Sequence, residues 1–179
     1  MGRAKQLLPI QNEPALVLCI RRILAAGFAE IIVVVGHNRD VILPVLADLP
    51  VTTVVNPEPD SQMADSVQAG LAALPSGITG IAVGLADHPL VLSCTYALLG
   101  HIHRIRPDRI LMPTYRSRNG HPTLFPASLC RSAAGTPMNR IIADHQDILV
   151  RIGVEDPGVV MDMDYPADYR RLASYAAGN

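Results

Sequence analysis

The sequence predicts an α/β sandwich built on a largely parallel sheet, and three observations carry that expectation. Short apolar runs rich in branched residues recur: Ile31-Ile-Val-Val-Val35, Val51-Thr-Thr-Val-Val55 and Ile78-Thr-Gly-Ile-Ala-Val83. The first has no polar alternation, which suits a strand buried on both faces. Segments with helical spacing of apolar residues lie between the runs, the alternation that βαβ units produce. Finally, 179 residues with 49% hydrophobic content and no repeat or low-complexity linker fit one domain with a substantial core.

Taken in order, residues 1–9 read as a loop exit followed by a short extended piece. A helix is expected over 13–26, with Leu16, Ile20, Ile23 and Leu24 on one face, Arg21 and Arg22 outward, and Gly27 as its stop. Strand 31–35 follows, then a helix over 38–48 interrupted by Pro44, and strand 51–55 ending at Asn56-Pro57. The spacing next predicts a helix over 64–74, a strand over 78–83 and a helix over 92–105. Strands over 109–112 and 122–125, short helices over 127–133 and 138–144, a strand over 148–154 and a closing helix over 165–176 complete the chain. The crowded strands of 109–154 break the rhythm and predict a small excursion there. Crossovers between parallel strands should be right-handed.

Composition narrows the function. Formal net charge is −1 with no charged runs, which weighs against nucleic acid or a membrane surface as partner. Cys19, Cys94 and Cys130 have no metal-ligand spacing and read as reduced thiols of a cytoplasmic protein. No run is long enough to span a bilayer, and the start is polar rather than a secretory leader. Few aromatics and no tryptophan disfavour stacking platforms for single strands. No Gly-x-Gly-x-x-Gly follows a strand, so a dinucleotide-dependent dehydrogenase is a weak reading.

The stretch Gly84-Leu-Ala-Asp87-His-Pro89 organises the rest. Pro89 ends the preceding strand, and Asp87 stands at its carboxyl end, where open α/β sheets place their ligands. A carboxylate there suits a hard cation and the phosphates it bridges, although locally it also suits a helix cap. Asp162 and Asp164 alternate with Met161 and Met163, so both acids share one face of an extended segment.

Together these residues resemble the molybdenum-cofactor nucleotidyltransferases of the MobA/MocA type, most closely the cytidylyltransferase branch. The resemblance runs through Met1-Gly2-Arg3-Ala4-Lys5-Gln6-Leu7-Leu8-Pro9, Ala26-Gly27 with strand 31–35, Val55-Asn56-Pro57, Met63 to Gly70 and Leu85 to Pro89. It continues through Gly120-His121-Pro122, Gly135 with Arg140, and Val160 to Tyr169. It implies a three-layer, Rossmann-like sandwich of the nucleotide-diphospho-sugar transferase fold. It also implies magnesium-dependent transfer of a nucleoside monophosphate, CMP from CTP with GTP as the other candidate, onto a molybdopterin-type phosphate. Asp87 and Lys5 are then the catalytic pair. Asp87 with Asp162 or Asp164, the former favoured, holds the metal. Gly2 and Lys5 approach the triphosphate, Asn56 and Ser66 face base and ribose, and His121 and Arg140 face the acceptor. A molybdoenzyme under maturation is the implied protein partner. On local sequence alone, Asp164 equally suits capping the last helix, Asn56 a turn, and Ser66, His121, Arg140 and Lys5 ordinary surface roles.

Three departures bear on that reading. The family opens with a strand and a Leu-Ala-Ala-Gly-x-Ser-x-Arg loop, whereas this sequence begins after them. The expectation is therefore one domain over 1–179, N-terminally incomplete relative to the family. Leu24-Ala25-Ala26-Gly27 is no substitute, because it ends a helix instead of following a strand. Gln62 stands where the family has glycine, and Gly135-Thr-Pro-Met-Asn-Arg140 lacks an acid and a second glycine, while His88 replaces a common glutamine. The alternative these departures raise is a catalytically impaired relative serving as a binding or partner module in cofactor maturation.

Overall fold

The computed structural model describes residues 4–56, 58 and 63–178. After a single 3-10 turn at Lys5–Leu7, β1 (Pro9–Ile10) and β2 (Glu13–Pro14) form a small antiparallel hairpin. Gln11 and Asn12 close it, both at positive φ. This hairpin takes the first residues of the expected helix, so α1 (Ala15–Ala25) starts after Pro14, which supplies its entry, and stops at Gly27 with φ 81°.

The strand β3 (Ile32–Val35), helix α2 (Arg39–Leu46) and strand β4 (Thr52–Val55) make one βαβ unit, with β3 and β4 parallel and in register from Ile32↔Thr52 to Val35↔Val55. Then come α3 (Met63–Ala72), β5 (Gly80–Val83) and α4 (Ser93–Ile105). The remainder is β6 (Ile110–Tyr115), β7 (Arg118–Asn119), β8 (Thr123–Pro126), α5 (Ala127–Ser132), α6 (Met138–Asp144), β9 (Leu149–Gly153), a 3-10 turn at Pro157–Val160, and α7 (Pro166–Ala177). No helix among the described residues is long and apolar enough to cross a membrane.

The region expected to be an excursion is instead the body of the main sheet. β6 pairs with β8, with β9 and, at its end, with β7, and β8 joins β6 to β5. β8 runs antiparallel to both β5 and β6, while β9 is parallel to β6. β5, β6 and β9 therefore share one direction, with β8 reversed among them. The hairpin to β7 turns through Arg116 and Ser117 at positive φ, which residue type alone does not signal.

Alternate residues of this sheet feed opposite layers, as a strand's two-residue period requires. Ile110 and Phe125 pack with Cys130 and Ile141 of α5 and α6, whereas Leu111 and Leu124 pack with Leu99 of α4. That makes three layers. Gly80 is held close to α4, because a Cβ there would occupy the place of the His103 ring.

The sheet is in two pieces. Among the described residues β3 pairs only with β4, and β5 only with β8, so each offers an open edge to the other. Between them lies a cavity of about 420 Å³ lined by Ile32, Val34, Ile81 and Val83 and by apolar residues of α1 and α3. Beyond it, Gln6, Gly36 and Ala86 line a second cavity of about 140 Å³. The carboxyl ends of β3 and β5 thus meet at the first turn of the chain.

Asp156 fixes the entrance to α4. It is 2% exposed and accepts hydrogen bonds from the Leu92 amide at 2.8 Å, Thr95 Oγ1 at 2.6 Å and the Gly158 amide at 2.9 Å. The carboxylate caps the helix from a distant segment, which the helix's own Leu92 cannot do. Gly158 leaves no room for a Cβ against the Leu90 carbonyl. Asp156→Ala is expected to cost about 3 kcal/mol, since two buried amides and a hydroxyl lose a charged acceptor. Urea denaturation monitored by circular dichroism measures it.

Two histidine rings are held below their usual pKa, His103 buried and His121 half-buried. Burial lowers His103, offset in part by a hydrogen bond near Thr79. Burial, then neighbouring His88, lowers His121 against the pull of Asp87. With folded pKa below the unfolded value of about 6.5, the unfolded chain binds more protons in that window, so stability falls as pH drops through about 6.5. The urea midpoint should be lower at acid pH than at neutrality, and the difference should shrink in His103→Gln/His121→Gln. A higher midpoint in acid would contradict the burial argument.

Candidate functional site

The first turn, the end of β5 and the segment before α7 converge on three charges. Lys5 Nζ donates to Asp87 Oδ2 at 2.8 Å and to Asp164 Oδ1 at 2.7 Å. Lys5 and Asp87 are half-buried, their side chains 30% and 22% exposed, while Asp164 is open at 53%. Burial by itself would lower the Lys5 ammonium, but the hydrogen bonds to Asp164 and Asp87 outweigh it, and its pKa is raised. Asp87 Oδ1 is buried and has no hydrogen-bond partner among the described residues.

Apolar packing brings these groups together. Ile10, Leu90 and Met163 lie in one buried cluster with Ala15 and Leu18 of α1 and Leu172 of α7. Each stands a few residues from one of the three charges. Met163 points into the core, so Asp162 and Asp164 take the other side of the extended segment. Asp164 is the one that reaches Lys5. Asp162 is partly buried and has no side-chain partner among the described residues. The Tyr165 amide donates to Asp168 Oδ2 at 2.9 Å, so Asp168 supplies the polar cap of α7 and leaves Asp164 to Lys5.

Asn56 and Ser66 also meet. Asn56 is 6% exposed and donates from Nδ2 to Ser66 Oγ at 3.3 Å, while its Oδ1 accepts from the Glu58 amide at 3.2 Å. Both the turn role and the pairing hold for Asn56. Ser66 lines the cavity that also reaches Leu85 and Ala86, the residues leading to Asp87.

His121 stacks edge-on against His88, ring centroids 5.0 Å apart at 60°, and its amide donates to Val159 O at 2.8 Å. Both rings keep a buried Nδ1 without a partner. His88 is the functional candidate that residue-by-residue reading passed over. Its signal was its place directly after Asp87 at a strand end. Arg140 is not brought to this cluster. Its Nε donates to Asp144 Oδ2 at 2.8 Å within α6, on an exposed face, where the i,i+4 spacing satisfies it locally. Gly2 and Gln62 lie outside the described residues.

Two hard oxygen donors on opposite sides of a cation, one of them with a free buried oxygen, suit a divalent metal that takes its remaining ligands from phosphate and water. Among the described residues no group of three or more His, Cys, Asp or Glu forms a closed metal cage. The site therefore fits a metal shared with a bound phosphate rather than a structural ion.

Residues 1–148 match the MobA-like NTP transferase domain. A nicotine blue oxidoreductase of Paenarthrobacter nicotinovorans is 31% identical over 144 residues, covering 76% of this chain and 69% of that protein. The Rv0371c protein of Mycobacterium tuberculosis H37Rv superposes with a TM-score of 0.82 at 26% identity, over 97% of this chain and 91% of its own. Its manganese complex gives 0.82 at 25% over 97% and 93%. A nucleotidyl transferase of Methanothermobacter thermautotroptrophicus reaches 0.82 at 21% identity over 97% and 85%, a likeness of fold alone. By sequence match, α/β fold and the convergence of Lys5, Asp87 and Asp164, the chain belongs to the MobA-like NTP transferase family and is a nucleotidyltransferase.

Proposed function

We propose that this protein transfers CMP from CTP to a phosphate-bearing, molybdopterin-type acceptor in the cytoplasm, releasing pyrophosphate. The observation that carries this reading is the half-buried Lys5 between Asp87 and Asp164 at the carboxyl ends of β3 and β5. In the reaction an acceptor phosphate oxygen forms a bond to the α-phosphorus. The bond from the α-phosphorus to the α–β bridging oxygen breaks, and its electron pair leaves with pyrophosphate. Such chemistry asks for positioning and charge neutralisation rather than a covalent nucleophile. Asp87 and Asp164, with Asp162 beside them, would hold magnesium, which neutralises phosphate charge and fixes the α-phosphate. Lys5 neutralises the triphosphate, Asn56 and Ser66 border the base and ribose, and His121 with His88 faces the acceptor. The choice of CTP over GTP, and of the acceptor, rests on the family resemblance alone.

A second reading is a binding or partner module for molybdoenzyme maturation, and the open slot between β3 and β5 favours it. In that reading we infer that the slot takes one extended apolar segment of the partner. Both open edges and the apolar lining suit such a segment.

Thermal shift with CTP, GTP, ATP and UTP, each with and without magnesium, separates the two readings. At a hundredfold excess over its dissociation constant a ligand stabilises by about 2.7 kcal/mol, about 5–10 °C in a chain of this size. A magnesium-dependent shift with CTP, lost in Asp87→Asn, is the expected result for the transferase. A folded chain that responds to no nucleotide supports the module. In light scattering, the protein should self-associate through its open edges, and an added extended apolar peptide should yield a monomer with a higher Tm. A monodisperse monomer unaffected by that peptide would leave the slot without an occupant.

A further inference from the structure

Lys5 is the sole lysine in the sequence; the other fourteen of its fifteen basic residues are arginine. Its ammonium nitrogen lies 2.8 Å from Asp87 Oδ2 and 2.7 Å from Asp164 Oδ1. The two carboxylates come from segments 77 positions apart in the sequence. A magnesium ion bound to the same two oxygens would sit about 2.0–2.1 Å from each, which is the space the ammonium fills. The two cations cannot both be there. A compact point charge on a flexible stem is also the group best able to leave, which the planar fork of arginine is not.

We propose that Lys5 is an exchangeable cation. It neutralises the two carboxylates in the nucleotide-free protein, and it gives up that position to the divalent ion that arrives with the triphosphate, turning its ammonium to the phosphates. This rests on the carboxylate pair being the metal site of the proposed transferase. Its consequence is an order of binding: metal alone competes with the lysine and binds weakly, whereas metal and triphosphate together supply the lysine with a new partner. Asp87 Oδ1, buried and without a hydrogen-bond partner among the described residues, is the acceptor that the lysine leaves unsatisfied.

The test measures Mn²⁺ affinity of the nucleotide-free protein by electron paramagnetic resonance, in wild type, Lys5→Met and Asp87→Asn. Losing one charge-assisted hydrogen-bonded competitor should tighten Mn²⁺ binding about tenfold in Lys5→Met, while binding of the Mn²⁺–CTP complex weakens. Asp87→Asn should abolish both. If Lys5→Met binds Mn²⁺ no more tightly than wild type while Asp87→Asn loses it, the exchange is wrong and the metal site stands. If folded wild type and Lys5→Met both fail to bind Mn²⁺, the metal site falls too. Should Lys5→Met not fold, the solitary lysine allows the same test on wild type. In protein labelled with ¹³C-lysine, the single ε-carbon signal should move toward the position of free lysine as Mg²⁺ is added. A signal that stays fixed at Mg²⁺ concentrations that saturate the site overturns the exchange.

Discussion

The site depends on one piece of apolar packing. Ile10, Leu90 and Met163 come from the opening hairpin, the loop after β5 and the segment before α7, and each is fully or almost fully buried in a shared cluster. Each contributes roughly 1.5–3 kcal/mol by leaving water, far more than any of the half-exposed ion pairs it positions, which are worth about 0–1 kcal/mol each. The charges do not assemble the site. The core assembles them, and the alternation around Met163 then turns Asp164 toward Lys5. A partly buried lysine between two acids is a consequence of where three apolar side chains had to go.

The same logic explains the sheet. β6 is buried on both faces, Ile110 and Leu111 serving opposite helical layers, and it is paired with β8 and with β9, which makes it central. β3 and β4 have their own core with α1 and α2, through Val35, Ile42 and Leu46. The two halves are bridged by α1, whose Leu16 and Ile20 look toward β3 while its Ala15 and Leu18 look toward the carboxylate clamp. The helix can therefore hold the halves in register while the strand edges between them stay open.

Much of this was legible in the sequence, and for identifiable reasons. The strand over 31–35 and the helix over 92–105 are strongly patterned, and the structure places them within a residue of expectation. Asp87 was legible from the branched run before it and Pro89 after it, although β5 ends at Val83 and Asp87 stands in the turn beyond, so the proline is not what stops the strand. The role of region 109–154 was not, because strand pairing over long separations leaves no periodic trace, and the β6–β7 turn uses arginine and serine where glycine would have signalled it. Asp156 was silent for a similar reason: the helix it caps lies more than sixty residues away. The choice between Asp162 and Asp164 depends on where an extended segment meets the first turn, which spacing alone cannot specify. Arg140 was placed at the acceptor by the family resemblance, and in the structure its guanidinium pairs with Asp144 four positions on, a local partner that spacing in the sequence already allowed.

What remains is why a nucleotidyltransferase would keep its only lysine tied to its carboxylates. Two acids converging on one point without a cation would repel each other. The folded protein must therefore carry some positive charge there before substrate arrives. An arginine would satisfy both acids through its fork and surrender them reluctantly. A lysine satisfies both through one atom on a flexible stem, so a single motion frees both acids. One lysine among fourteen arginines fits that division of labour: the mobile point charge stands at the place where contacts must change hands.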